Sequence, residues 1–237
     1  NRAKLSSHNV SNFMSIRNFM QLHYRHFNAR ETLAAAQGYV DFLEKQSGKM
    51  LVTLAGAMST AEIGISLAEM IRQDKVHGIC CTAANLEEDL FNLFAHNEYR
   101  VIENWRALTA QDEQDLLDRG FNRVTDTCIP ETVMKHTREK LLAYWKQAAE
   151  LEQPMYPYEF MYKLLDDPEL KGHYQIPPEH SWMLAAKEKG LKVFSPGIED
   201  STLGNMYTAA VMQGHVCDHR AMRTGTEQLQ LLANWYK

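Results

Sequence analysis

Two adjacent carboxylates, Glu87 and Glu88, with Asp89 behind them, are the residues of this sequence best suited to chemistry. They follow residues 78–82 (Gly-Ile-Cys-Cys-Thr), an uncharged run of small, β-branched or sulfur-bearing side chains. Such a run reads as a short strand buried on both faces, as in a parallel sheet. A helix opens behind it, with Asn85 placed to cap it and the three acids in its first turn. Strand, tight turn and helix form the place where open α/β sheets bind ligands, at the carboxyl ends of the strands. The acids admit two readings: they satisfy a helix dipole, or they hold an amine or a ribose hydroxyl. Asp200, beyond a second strand-to-helix loop, carries the same ambiguity.

The elements that must position these acids can be read around them. Residues 50–54 (Met-Leu-Val-Thr-Leu) read as a strand, 55–60 as a small-residue loop, and a helix follows to about residue 74. With the strand at 78–82 this makes a βαβ unit, whose crossover is almost always right-handed. The loop contains Gly56, and Gly64 follows, but there is no Gly-x-Gly-x-x-Gly, so it reads equally as a plain turn or a nucleotide loop. Residues 191–195 (Leu-Lys-Val-Phe-Ser) read as a third buried strand. A loop over 196–205 follows, with Asp200 or Ser201 as the cap of a helix reaching about residue 212. Elsewhere, 1–27 read as an arm lying on another surface, and a helix starts at Asn28 with Glu31 in a capping-box pattern and stops at Gly48. Residues 97–126 read as largely irregular around a short acidic helix at 111–119, a length that is usually functional or covers something. Pro130 then opens a helix to about residue 150. Shorter helices are expected over 158–166 and 179–189, and a last one over 220–237. Three strands are fewer than a doubly wound sheet carries, so the expectation is a fragment of a larger domain, or one half whose partner is a separate chain.

Composition narrows the function. The chain has 237 residues and a net charge of −5, which argues against nucleic acid, since phosphate binding needs a basic surface. No apolar run approaches about 18 residues, so no membrane span is expected, and no signal peptide is visible. Cys80, Cys81, Cys128 and Cys217 have no CxxC spacing. They read as free thiols, mostly small core residues, in a reducing and therefore cytoplasmic compartment. Cys217-Asp218-His219 has no complementary pair elsewhere, so no metal site is expected. There is no nucleophile elbow and no Walker A loop.

Two longer stretches carry a resemblance. Residues 82–90 (Thr-Ala-Ala-Asn-Leu-Glu-Glu-Asp-Leu) resemble the Thr-Ala-Gly-Gly-Val-Glu-Glu-Asp-Leu stretch of the deoxyhypusine synthase family. Residues 193–206 (Val-Phe-Ser-Pro-Gly-Ile-Glu-Asp-Ser-Thr-Leu-Gly-Asn-Met) are similar to its Val-Phe-Ser-Pro-Ala-Leu-Thr-Asp-Gly-Ser-Leu-Gly-Asp-Met. The resemblance covers roughly residues 30–237 and is closest to the bacterial deoxyhypusine synthase-like group, which includes homospermidine synthases.

The resemblance implies an α/β fold, a Rossmann-like parallel sheet flanked by helices and incomplete at its C-terminus here. Residues 1–27 would be the arm and 28–237 the N-terminal part of one NAD-binding domain. It implies a homotetramer with active sites at subunit interfaces, and NAD-dependent aminobutyl transfer from spermidine or a related polyamine to a protein lysine or putrescine. The transfer passes through an imine on an enzyme lysine. Gly56, Ala57, Met58, Ser59, Thr60, Thr82, Ala83 and Ala84 would line the NAD site. Glu88 would touch cofactor and substrate, Glu87 the polyamine and Asp200 the cofactor. The sequence departs from the family at three places. Ala84 and Asn85 replace two glycines. Asn205 replaces an Asp that contacts the polyamine. The family's Trp-Gly-Lys is absent, and residues 234–237 (Asn-Trp-Tyr-Lys) are not that motif, so no catalytic residue is assigned. These departures leave a non-catalytic NAD- or polyamine-binding relative as the alternative.

Overall fold

In the computed structural model the described residues are 15–217 and 219–237, the side chain of His219 excepted. The expectations for residues 1–14 and for Asp218 lie outside them. Contacts divide the chain into two units, residues 1–49 and 50–237.

The first unit holds α1 (Ile16–His23) and α2 (Phe27–Lys45). Ser15 caps α1 by accepting from the Asn18 amide. The start expected at Asn28 is not used as a cap. Phe27 begins α2 with a positive φ of 52°, no side chain caps it, and the Asn28 carbonyl instead accepts from the Thr32 hydroxyl at 2.9 Å. The left-handed residue beyond α2 is Ser47, not Gly48.

The second unit is mixed α/β. Strands β1 (Leu51–Leu54), β2 (Gly78–Cys81) and β6 (Val193–Phe194) form a parallel sheet in the order β1-β2-β6. The pairings Leu51 with Gly78 and Ile79 with Val193 fix the register. All three strands run the same way, so the loops that leave their carboxyl ends share one edge of the sheet. Between β1 and β2 lies α3 (Gly64–Arg72), and after β2 comes α4 (Ala83–Ala95). Almost every residue of α4 is buried. Leu86, Leu90, Leu93 and Phe94 join the main core with Leu67 and Ile71 of α3. Leu164 of α7 (Pro157–Asp166) and Trp182 of α9 (Trp182–Glu188) belong to the same core.

Residues 97–126, expected to be irregular around a short acidic helix, hold that helix and also two strands of a second sheet. Strands β3 (Arg100–Val101), β4 (Phe121–Val124) and β5 (Thr127–Pro130) pair antiparallel in the order β3-β5-β4, with α5 (Ala110–Asp118) between β3 and β4. The β4–β5 hairpin turns on Thr125 and Asp126, with Thr125 at φ 55°. This is a two-residue turn without the Asn-Gly that usually marks one. Pro130 does not open the expected long α-helix but precedes a short 3-10 helix, Glu131–Lys135. It ends β5 opposite Phe121, where its missing N–H costs least, and α6 begins only at Arg138 (Arg138–Glu150). A further short helix, α8 (Pro168–Lys171), sits in what reads as a loop.

Helix α10 (Thr202–Met212) follows β6 and is capped by Ser201, which accepts from the Gly204 amide at 3.0 Å. Of the two expected caps, Ser201 is the one used. A Cβ on Gly204 would stand 2.0 Å from the Ile198 carbonyl oxygen. Gly204→Ala is therefore expected to force the 196–201 loop away and cost about 2–3 kcal/mol, read as a lower urea midpoint. Helix α11 (Gly225–Tyr236) closes the unit; its buried Gln228 accepts from the Ser195 amide at 2.8 Å. Cys81 and Cys128 are buried and Cys80 half-buried, but Cys217 is exposed and is not a core residue.

Candidate functional site

The small-residue loop after β1 and the start of α4 meet at the shared edge of the parallel sheet. Asn85 is the residue that joins them. The helix begins three residues earlier than its sequence suggests, with Thr82 in extended conformation at the N-cap. Asn85 therefore does not cap α4; it lies inside the first turn and turns its side chain to the loop. Its Nδ2 donates to the Ala55 carbonyl (2.6 Å) and the Thr82 hydroxyl (2.8 Å). Its Oδ1 accepts from the Ser59 amide (2.9 Å) and the Ser59 hydroxyl (3.1 Å). Trp182 Nε1 donates to the same hydroxyl at 2.9 Å, and Asn92 Nδ2 donates to the Ser59 carbonyl at 2.6 Å. Every hydrogen-bonding group of Ser59 is thus tied to a neighbour. The loop backbone is also strained, with Ala57 at φ 61° and Glu62 at φ 58°, outliers of the kind that persist where surrounding contacts over-determine them.

The shift in helix start moves the acids. They sit in the second turn, so the expectation that they serve the dipole of their own helix fails. Glu87 does serve a dipole, that of α10: its two oxygens accept from the Thr202 amide (3.0 Å) and the Leu203 amide (2.8 Å). Burial pushes its pKa up, and the two amides oppose that rise. Glu88 accepts from the Thr60 amide at 3.3 Å. Burial raises it to about 7, with the charge of Glu87 adding to the rise. Asp89 accepts from the Ser181 hydroxyl (2.5 Å) and the Met183 amide (3.1 Å), and burial raises it to about 6.

Glu87, Glu88 and Thr202 line a cleft of about 390 Å³ between α4 and the antiparallel sheet. Its wall is apolar at Phe91, Ile129 and Met134, and Glu131 stands at it as a third carboxylate. The other candidate residues are placed differently. Gly56, Ala57 and Met58 lie on the loop at the sheet edge, Gly56 and Met58 exposed, whereas Ser59 and Thr60 are buried against α4. Thr82 and Ala84 are half-buried and Ala83 is buried at the helix start. Asp200 is exposed in the loop after β6, and Asn205 is exposed on α10. The structure thus gathers the 55–60 loop, 82–84 and Glu88 at one edge, and leaves Asp200 and Asn205 off the cleft that Glu87 and Glu88 line.

Reasoning from the sequence missed Asn92, Trp182 and the true role of Asn85. One signal was available. Asn85, Glu88 or Asp89, and Asn92 recur every three or four residues in an otherwise apolar helix, so a single polar stripe faces one direction.

The model of the family described as deoxyhypusine synthase matches residues 19–223. The chain belongs to the deoxyhypusine synthase family. A deoxyhypusine synthase-like protein of Nostoc is 26% identical over 212 residues, covering 86% of this chain and 52% of that protein. One of the same description from Chlorobaculum parvum is 25% identical over 181 residues, 75% of this chain and 48% of that protein. The chain spans about half the length of these curated relatives. A crystal structure of a candidate deoxyhypusine synthase from Entamoeba histolytica superposes with a TM-score of 0.58 at 13% identity, covering 97% of this chain and 74% of that one. That likeness is one of fold. Among the described residues, no helix is long and apolar enough to cross a membrane, and no group of three or more metal-ligating side chains occurs.

Proposed function

We propose that this chain is the NAD-facing part of an enzyme that transfers an aminobutyl group from spermidine or a related polyamine to an acceptor amine. The acceptor is a protein lysine or putrescine. The observation that carries this reading is the family match over residues that include Glu87 and Glu88, two buried carboxylates at the wall of one cleft. The parallel sheet is read as the core of a Rossmann-like domain continued beyond these residues, with 1–27 as an arm. The assembly is read as a cytoplasmic homotetramer with shared active sites.

Whether the edge fits NAD can be asked of the residues present. Helix α4 starts with no side chain capping its first amides, which leaves donors for a phosphate. The Asn85 side chain points away from that helix end to the loop. On the family resemblance, Gly56 to Thr60, Thr82 to Ala84, Glu88 and Asp200 are assigned as the cofactor residues, the fully bonded Ser59 through its shaping of the loop. When bound, NAD supplies a hydride acceptor and donor.

The residues of the chain do the rest. Glu88, poised near neutrality, gains its charge when an ammonium lies beside it. Each Glu87 oxygen keeps a second lone pair beyond its amide contact, so it adds negative charge to the same place. The apolar wall suits methylene groups. Asn205 is assigned to the substrate as well, and carries no charge there.

The test is incubation of the full-length protein with NAD and spermidine, with released diamine and a new secondary amine as products. Glu88→Ala is expected to lower kcat/KM by about 10- to 100-fold, the loss of one charge-assisted contact. No turnover with spermidine, putrescine or homospermidine would sink the reading.

A further inference from the structure

The loop between β6 and α10 is tied into one block. The Asp200 amide donates to the Gly197 carbonyl (3.2 Å), and the Ser201 hydroxyl donates to the Ile198 carbonyl (2.7 Å). Ser201 also caps α10 through the Gly204 amide, and Gly204 sits against the Ile198 carbonyl with no room for a Cβ. Residues 197–204 are therefore coupled. Their far end presents the Thr202 and Leu203 amides to the two oxygens of Glu87. Their near end joins the parallel sheet through Ser195 and Pro196. Strand β6 is two residues long and lies at an edge of that sheet, so strand pairing stops short of this joint.

Helix α11 holds the joint at two points. The Ser195 amide donates to Gln228 Oε1 at 2.8 Å, and a Cβ on Gly225 would stand 2.4 Å from the Pro196 carbonyl oxygen. Gln228 is 1% exposed, and its Nε2 is buried with no partner. A buried donor left unpaired costs about as much as the companion bond returns. An apolar side chain in its place would orphan the Ser195 amide instead, exchanging one unmet donor for another. Stability therefore does not select glutamine here; what it alone supplies is a fixed position for Ser195. We propose that Gln228 is a positioning residue for Glu87: through Ser195 it sets the 197–204 block where the Thr202 and Leu203 amides meet both carboxylate oxygens. Those amides oppose the rise that burial imposes on Glu87, so a displaced block leaves the carboxyl harder to ionise. The bracing stands on this geometry; only its effect on turnover rests on the reading given for the Glu87–Glu88 cleft.

The measurement is amide hydrogen exchange at pH 6 on the whole chain carrying Gln228→Met, which keeps the length of the side chain and loses the acceptor. The Thr202 and Leu203 amides are expected to exchange about five- to tenfold faster while the slow amides of α4 stay as they are; a general loss of stability would speed them all together. Gln228→Glu, kept protonated by burial, retains the acceptor and gives up only the unpartnered Nε2, so it should restore the original exchange. The Glu87 carboxyl carbon should titrate at higher pH in Gln228→Met. In the full-length protein Gln228→Met should raise KM for spermidine about tenfold with kcat within about threefold. Should Gln228→Met not fold, Gly225→Ala presses on the same joint with Gln228 in place and must give the same local exchange pattern. Unchanged exchange at Thr202 and Leu203, exchange sped throughout the chain, or Gln228→Glu no better than Gln228→Met would each overturn the proposal. No turnover by the unsubstituted full-length protein would sink the reading of the cleft instead, and the exchange and titration results would still decide the bracing.

Discussion

Asn85→Ala is expected to destabilise the chain by about 3 kcal/mol, more than its small change in volume would suggest. The loss is not one of packing. Asn85 is fully buried and bridges the loop after β1 to the first turn of α4 through four hydrogen bonds. Alanine leaves the buried Ser59 amide with no acceptor, the costly half of a broken hydrogen bond. The Ala55 carbonyl is exposed enough to turn to water, and the Ser59 hydroxyl keeps Trp182, so the cost stays near that of one or two orphaned groups. Asn85→Asp separates the parts of the argument. It keeps an acceptor for Ser59 but sets a carboxylate against the Ala55 carbonyl and the Thr82 hydroxyl oxygen, so its urea midpoint should fall between wild type and Asn85→Ala. Asn85→Gly, which restores the residue of the family pattern, should be at least as unstable as alanine. It loses the same bonds and adds about 0.5–1 kcal/mol of backbone entropy within the helix. A midpoint for Asn85→Ala within error of wild type would show that the loop is held by other contacts.

That result bears on what could be read from the sequence. The parallel strands were legible because their residues are uncharged and largely apolar, and the Ser201 cap because it immediately precedes its helix. Asn85 was legible as a polar residue at a helix start but not as a clamp. Its partners lie 26 and 30 residues away, and Thr82 takes the cap without any hydrogen-bonding signature. Glu87 was harder still, since the amides it accepts from are 115 and 116 residues away. Capping by a distant carboxylate leaves no local pattern. The antiparallel sheet hid for another reason. One of its strands is two residues long and exposed, and its hairpin turns on Thr125-Asp126, so neither alternation nor turn chemistry announced it. The wall of the Glu87–Glu88 cleft that faces α4 is built from that sheet and the turn after it, which is why the sequence suggested the acids but not the surface they face.

Stability is expected to fall as pH rises from about 4.5 to 7, and Glu88→Gln should remove much of that fall. Glu88 has its pKa raised from 4.5 to about 7, chiefly by burial. Below pH 4.5 the carboxyl is protonated in both states and the native chain carries no penalty. Between 4.5 and 7 the unfolded chain ionises while the folded one keeps its proton, so the folded state binds more protons and loses ground with each step in pH. Asp89, raised from 3.8 to about 6, acts in the same direction over a slightly lower window. The Glu88 share is on the order of 3 kcal/mol, from 1.36 kcal/mol per pKa unit. Asp167, lowered by its hydrogen bond from Lys140, works in the opposite sense but below the usual carboxylate range, outside this window. Urea midpoints at pH 5, 6, 7 and 8 check the sign. The wild-type curve should descend and level above 7; Glu88→Gln should descend only by the shares of Asp89 and Glu87, both also raised by burial, and overtake wild type at pH 8. Parallel curves would mean that Glu88 is ionised in the folded chain across the range. An ammonium seated beside Glu88 should flatten the wild-type curve too, because it favours the charged form that burial opposes, and this would link the pH profile directly to the chemistry assigned to the cleft.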